Sequence, residues 1–433
     1  MRLPLSVPTI AALSWLAGIA HACGGTADEQ QVDIRCESSF RDCDGLRENG
    51  CETDIHSSPL SCSACGLACP DGLACAHGVC RPPSDIVELG VGAYHTCVRR
   101  AGGSVSCWGE NDYGELGDGT TTTRARPRPV AGVHDAAELT AGGRAACVRR
   151  RDNAFWCWGA NTLGDLGAGF PSVAETSPVH AVEFDGFVHV TAAGCGLHRS
   201  GSVACLGSRV CGAAGDGLSD QKAQIHAKQL AGIEARQVSG RCARRRDGAV
   251  YCWGPNDSGQ HGLGDTTGCE DFGPIKANIG ITKVPAIDDA TYISGDNTNC
   301  AIRAGGAVDC WGLWGGGSAR VSPTRVEGVN DAMKVASGLY HGCALLRAGL
   351  VTCWGGSREA PGVLGSEREP SDAASLVPGL DEVVDMGVGG QHTCALRRNG
   401  EVLCWGMNLY GALGYEPTGP RDHRVTPTLV QGL

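Results

Sequence analysis

Short alternations of apolar and polar residues, each broken by a turn, recur along most of this chain. The last copy, Cys394-Ala-Leu-Arg-Arg-Asn-Gly-Glu-Val-Leu-Cys404, is an apolar run, an Asn-Gly turn and a second apolar run. That pattern predicts a β-hairpin. The same ten-residue spacing between two cysteines occurs seven times, at 97/107, 147/157, 195/205, 242/252, 300/310, 343/353 and 394/404. Seven copies of one spaced pair make a repeat protein.

The spacing also sets a register. With a three-residue loop of Arg398, Asn399 and Gly400, the glycine taking the left-handed position, Leu396 faces Val402 and Cys394 faces Cys404. Facing residues of an antiparallel pair stand about 4.5–5.5 Å apart at Cα, within reach of a disulfide. Seven hairpin disulfides are therefore predicted: Cys97–Cys107, Cys147–Cys157, Cys195–Cys205, Cys242–Cys252, Cys300–Cys310, Cys343–Cys353 and Cys394–Cys404. Each would constrain the unfolded chain by roughly 2–3 kcal/mol.

A second signature follows each pair, as in Cys404-Trp-Gly-Met-Asn-Leu-Tyr-Gly-Ala-Leu-Gly414. Tryptophan follows the second cysteine at 108, 158, 253, 311, 354 and 405, with Leu206 in the third copy. One aromatic per repeat suits sheet-on-sheet packing, and the glycines suit tight turns. Successive second cysteines are 50, 48, 47, 58, 43 and 51 residues apart, the length of a propeller blade.

These motifs resemble the repeat of the regulator of chromosome condensation family, as does the trailing element in Pro127-Arg-Pro-Val-Ala-Gly132 and Pro323-Thr-Arg-Val-Glu-Gly328. The resemblance covers about 350 of the 433 residues and implies an all-β, seven-bladed β-propeller. The first copy begins midway, at Asp85, and the chain stops at Thr426-Pro-Thr-Leu-Val-Gln-Gly-Leu433. The two halves look complementary, so the ring is expected to be closed by the C-terminal strand.

Residues 1–22 read as a secretory signal peptide: Arg2, an apolar stretch over 9–20, then small residues before Cys23. Cys23 also sits where a lipoprotein acylation site would place it. The chain has 25 cysteines, and setting Cys23 aside as the lipidated residue leaves 24, which can all pair. Lipidation is favoured over plain secretion. Residues 23–35 then form a tether, and 36–80, with eight cysteines, a small disulfide-rich module. Residues 81–84 are a linker, and 85–433 the propeller. Cys211 and Cys269 are the remaining candidate pair.

Net charge is −11, which argues against nucleic acid as a partner. Yet 13 of the 36 lysines and arginines fall in the hairpins. Equivalent hairpins point the same way, so Arg149, Arg150, Arg245 and Arg246 are candidate binding residues on a face for an acidic glycan or protein; solvated tips are the plainer reading. His95, His341 and His392 precede their cysteines by two residues in three copies of seven and read as structural turn residues. Asp118, Asp216 and Asp265 read as turn acids. Residues 265–286 are a candidate insertion. No nucleophile elbow, His-Glu-x-x-His motif or phosphate loop is present, and Cys62-x-x-Cys65, a spacing that also suits zinc, reads as part of the disulfide-rich module in an exported chain, so no catalysis, metal or cofactor is expected.

The sequence thus predicts a non-catalytic scaffold of the cell envelope or extracellular space, a monomer touching membrane only through a lipid anchor. It would recognise a protein or glycan through a propeller face. The alternative is a secreted inhibitor of a hydrolase, similar to the β-lactamase-inhibiting propellers of this family; an enzyme acting within the channel is a third possibility.

Overall fold

A computed structural model describes residues 85–433 except 210, 212, 216–222, 267–279, 296–297 and 315–317, with short stretches between 40 and 81. Two compact units divide the chain, residues 1–83 and 84–433. In the first, Phe40–Arg41 pairs with Thr53–Asp54, and Ala74–Ala76 with Val79–Arg81. The signal peptide, the tether and Cys23 lie outside the described residues.

The second unit is a succession of antiparallel sheets, each built from one repeat. The first runs inner to outer through Ile86–Val91, His95–Arg100, Val105–Gly109 and Arg124–Pro129. The seventh does the same through Val383–Val388, His392–Arg397, Val402–Met407 and His423–Leu429. Sheets three and four share a 17-residue strand, Ala223–Ser239, whose first part pairs with Ser202–Ser208 and whose last part pairs with Cys242–Arg245. Within each hairpin the two cysteines are direct cross-strand partners, bonded, with Cα atoms 4.0–4.1 Å apart.

Adjacent strand residues point to opposite faces of a sheet, and this explains the Cys-Trp pair. Cys107 turns toward the second sheet and meets Trp158 there; Trp108 turns the other way and meets Cys394 and Cys404 of the seventh. Six interfaces each pair the disulfide of one sheet with the indole of the next, and the interface of sheets two and three has Leu206 instead. All six tryptophans are 0–1% exposed. Four of them also donate their indole N–H to a carbonyl in the Gly-x-Leu-Gly loop of the preceding sheet (x-His-Gly in the fourth): Trp108 to Ala412, Trp158 to Glu115, Trp311 to Gln260 and Trp405 to Val363, at 2.8–3.1 Å.

The arrangement is all-β, multi-bladed and propeller-like, but the expected closure is corrected. Among the described residues no sheet is closed on itself, and the C-terminal strand completes the seventh sheet, Leu429 opposite Leu403 and Thr428 opposite Cys404, not the sheet that begins at Ile86. Arg124–Pro129 already fills the outer position of the first sheet, so no place there is open. The ends look complementary because an outer strand precedes an inner one at every junction. The seventh and first sheets instead meet face to face, through the same kind of core as their neighbours. The expectation of a disulfide-rich module ahead of the propeller is corrected to this extent, that the disulfides are not confined to such a module but are distributed across the repeats, where the hairpin register opposes the sulfurs.

Candidate functional site

The strands run between a hairpin end, where the Arg-rich tips lie, and a loop end, where the Trp-Gly loops and the turns before each first cysteine lie. Between them the inner strands surround a channel of about 420 Å³ lined largely by glycine and small residues, with Lys334, His189 and Tyr292 among them.

Each inner strand carries one β-bulge and, just after it, one polar residue: Glu88, Glu138, His189, Gln237, Tyr292, Lys334 and Asp385. The innermost strand is a sheet edge whose N–H groups need partners, and this row supplies them from the neighbouring sheet. Asp385 accepts the Leu89 amide at 3.0 Å, Glu88 the Leu139 amide at 3.1 Å, and Gln237 the Ile293 amide at 3.0 Å. Lys334 reaches Asp385 at 2.5 Å, and His189 reaches Glu138 at 2.7 Å. Burial pushes the Glu138 carboxyl up, but His189 and Arg149 outweigh it and hold it below its ordinary value.

These acids change the picture of the hairpin end. Arg149 is 3.0 Å from Glu138, and Arg150 is 3.4 Å from Asp135 and stacks 4.2 Å over Trp156. Arg100 pairs with Asp85 at 2.6 Å, and Arg397 with Asp381 at 2.9 Å. Arg245 is 3.6 Å from Asp247, and Arg246 is exposed. Asp85, Asp135 and Asp381 stand at or just before the start of an inner strand, about fifteen residues before their arginines, and so lie outside the hairpins, whereas Asp247 lies within its own.

The three histidines belong to sheets six, seven and one, which are consecutive in space. His341 bonds Thr393 of the next sheet at 2.6 Å, and His392 bonds Thr96 at 2.9 Å. All three are buried, and burial pulls His95 down to about 4 and His341 and His392 to about 3. Among the described residues no cluster of His, Cys, Asp or Glu is placed to hold a metal ion, and no helix is long and apolar enough to cross a membrane. Asp118 is a turn acid, accepting the Thr120 amide and hydroxyl. Asp265 accepts from Asn256. Asp216 lies outside the described residues, as do 267–279 of the candidate insertion. Cys211 is disulfide-bonded; Cys269 lies outside the described residues.

The loop end holds the feature that sequence reasoning missed. The motif asparagine fixes each loop from within: Asn111 Oδ1 accepts the Leu116 amide and Asn408 Oδ1 the Leu413 amide, while their Nδ2 groups hold the outgoing chain. Gly109, at φ +112°, lets the loop cross the preceding turn; a Cβ there would lie 2.3 Å from the Tyr94 carbonyl oxygen. The loop of one sheet thereby packs on the turn of the next. Tyr410 meets Tyr94 edge-on, ring centroids 5.7 Å apart, and Arg144 sits 4.8 Å over Tyr113. Tyr340 is close enough to Tyr94 to act on its hydroxyl, which burial first and then Tyr340 and Glu110 push up. Four of the chain's seven tyrosines thus gather with Arg144 on one arc of sheets six, seven, one and two. Tyr410 is 45% exposed and takes a left-handed backbone, φ 58°, that a tyrosine seldom adopts. In the sequence these tyrosines occupy two motif positions, Tyr94 and Tyr340 three residues before a first cysteine and Tyr113 and Tyr410 six residues after a second, and only the ring order of the sheets brings the two sets together.

An all-β repeat protein with sheets stacked about a channel is the class this geometry defines. The repeat described as "Regulator of chromosome condensation (RCC1) repeat" matches residues 86–115 and 383–412, so an RCC1-like repeat region is present. The human E3 ubiquitin-protein ligase HERC2 is 30% identical over 200 residues, 43% of this chain and 4% of the ligase. Human WBSCR16 shares the fold, with a TM-score of 0.61 and 21% identity over 73% of this chain and 88% of that one. Prp20p of Saccharomyces cerevisiae, described with its binding to Gsp1p and histones, superposes with a TM-score of 0.47 and 17% identity over 80% of this chain and 77% of that one. The chain spans only a small fraction of the ligase.

The expected address of a secreted protein or envelope lipoprotein is corrected: relatives by sequence such as the E3 ubiquitin-protein ligase HERC2 are nuclear or cytoplasmic proteins. Opposed cysteines follow from blade geometry, and their spacing by itself carries no address.

Proposed function

We propose that the chain is a non-catalytic scaffold that binds another protein through the loop-end arc of sheets six, seven, one and two. The observation that carries this reading is the gathering of Tyr94, Tyr113, Tyr340, Tyr410 and Arg144 there, with Tyr410 exposed on a left-handed backbone. Tyrosine and arginine are the residues on which protein contacts concentrate their binding energy, because they offer large rigid area and hydrogen bonds together. Strained backbone at an exposed aromatic is a further mark of a binding site. At the hairpin end Arg100, Arg149, Arg150, Arg245 and Arg397 each have an acid beside them, which offsets much of the positive charge there. The relatives include proteins that bind other proteins, which agrees with a binding role.

The test is a photo-crosslinking amino acid placed at Tyr410 or, for comparison, at Arg398 on a hairpin tip. One discrete protein adduct from position 410, absent from 398 and lost when Tyr94→Ala is added, is expected. Adducts from 398 alone would refute the assignment.

A further inference from the structure

Beneath the tyrosine arc two carboxylates are buried together. Glu110 follows Gly109 and its amide is held by the Tyr94 carbonyl at 2.9 Å; Glu115 lies in the same loop and its Oε2 accepts the Tyr113 amide at 2.8 Å. They are 1% and 0% exposed. Glu110 Oε2 and Glu115 Oε1 are buried without a hydrogen-bond partner. A lone buried carboxylate oxygen is costly, and two beside each other are more so.

Arg144 is the nearby cation. It lies over the Tyr113 ring and reaches Glu110 Oε1 at 3.4 Å, a long contact, with its own side chain 45% exposed. One guanidinium thus faces two carboxylates. It also displays the geometry a basic group adopts here, an aromatic face on one side and a carboxylate on the other. Exposed Asp112 adds a third acid at the rim.

We propose that this corner takes a basic side chain, the lysine ammonium or arginine guanidinium of a protein partner, beside Tyr94 and Tyr113 and onto the unpartnered oxygens of Glu110 and Glu115. The inference rests on the protein-binding reading of the same arc and names the chemistry its partner presents. Burial holds both carboxyls above their ordinary range, Glu115 at about 7. The charged and titratable groups facing them are Arg144, Asp112, Tyr94 and each other. A cation is therefore bound with release of the Glu115 proton, and binding strengthens as pH rises through neutrality.

The probe is a fluorescein-labelled hexalysine peptide, titrated into the full chain by anisotropy at constant ionic strength and at pH 6, 7 and 8. Affinity should rise about ten-fold from pH 6 to pH 8, the change expected for one linked proton. Glu110→Gln and Glu115→Gln should each weaken binding about ten-fold at pH 8 and flatten the pH dependence, whereas Asp381→Asn at the hairpin end should leave both unchanged. Should Glu110→Gln fold poorly, Glu115→Gln and Tyr113→Leu carry the comparison. Equal affinity of the Gln variants, or a flat pH profile in the parent, overturns the cation site. A photo-adduct at Tyr410 that hexalysine does not displace and Glu110→Gln does not weaken also overturns it, while leaving the protein-binding reading intact.

Discussion

Cys107 and Trp108 are neighbours in the chain and serve opposite interfaces, and this division has a measurable consequence. Trp108→Ala removes the indole that covers the Cys394–Cys404 disulfide, not the Cys97–Cys107 disulfide next to it. It should cost about 3–5 kcal/mol. Mapped by mass spectrometry, mild thiol reduction should open Cys394–Cys404 first in the variant; Cys97–Cys107 opening first would contradict the assignment. The histidines give the pH dependence. Their folded pKa values lie below the unfolded 6.5, so the neutral form is preferred in the fold, and the stability they contribute is full above 6.5 and is lost as pH falls toward 3–4. The loss should reach ~2–3 kcal/mol per histidine by pH 4.5. Denaturant titrations of His341→Gln should show a shallower acid slope than the parent. Glu115 acts in the opposite sense: its raised pKa favours the protonated form, so its ionisation destabilises the fold as pH rises through about 7. Glu115→Gln should raise Tm at pH 8 and leave it unchanged at pH 4.

At the scale of the element, the hairpin was legible because its information is local: an Asn-Gly turn and a fixed count between cysteines. The Trp-Gly loop was legible as a loop, but its reason was not, since Asn111 acts by accepting the Leu116 amide and Trp158 by donating to Glu115 of the preceding sheet. What the sequence hid is what crosses between repeats. Glu138 and His189 stand 51 residues apart in neighbouring sheets, and Tyr410 and Tyr94 some three hundred. The inner-strand bulge recurs in all seven sheets yet leaves no constant residue behind, its positions reading Val87, Ala137, Val188, Arg236, Thr291, Met333 and Val384. A bulge is a backbone irregularity that many side chains accept, so pattern alone does not reveal it. The polar residue after it matters more. Asp385→Ala leaves the Leu89 amide and Lys334 without their partner and should cost about 2–4 kcal/mol by denaturant titration.

For the whole molecule, each sheet is a continuous stretch of chain, except where sheets three and four share a strand. The last sheet therefore joins the first without a shared strand, by face-to-face packing and by hydrogen bonds such as Trp108 to Ala412 and Leu89 to Asp385. Removing residues 423–433 strips the outer strand of the seventh sheet and leaves the Trp108 to Ala412 contact in place. Hydrogen exchange should then quicken in 402–407 while 95–109 stays protected; loss of protection in both would restore a latch at the C-terminus. The same ring order brings scattered tyrosines into one arc, and that arc is the account's central claim. Hydroxyl-radical footprinting of the chain, alone and with the protein captured at Tyr410, tests it most directly. Protection of Tyr94, Tyr113, Tyr340 and Tyr410 with the hairpin tips unchanged is the result expected, and protection of the tips with those four tyrosines unaltered would contradict it.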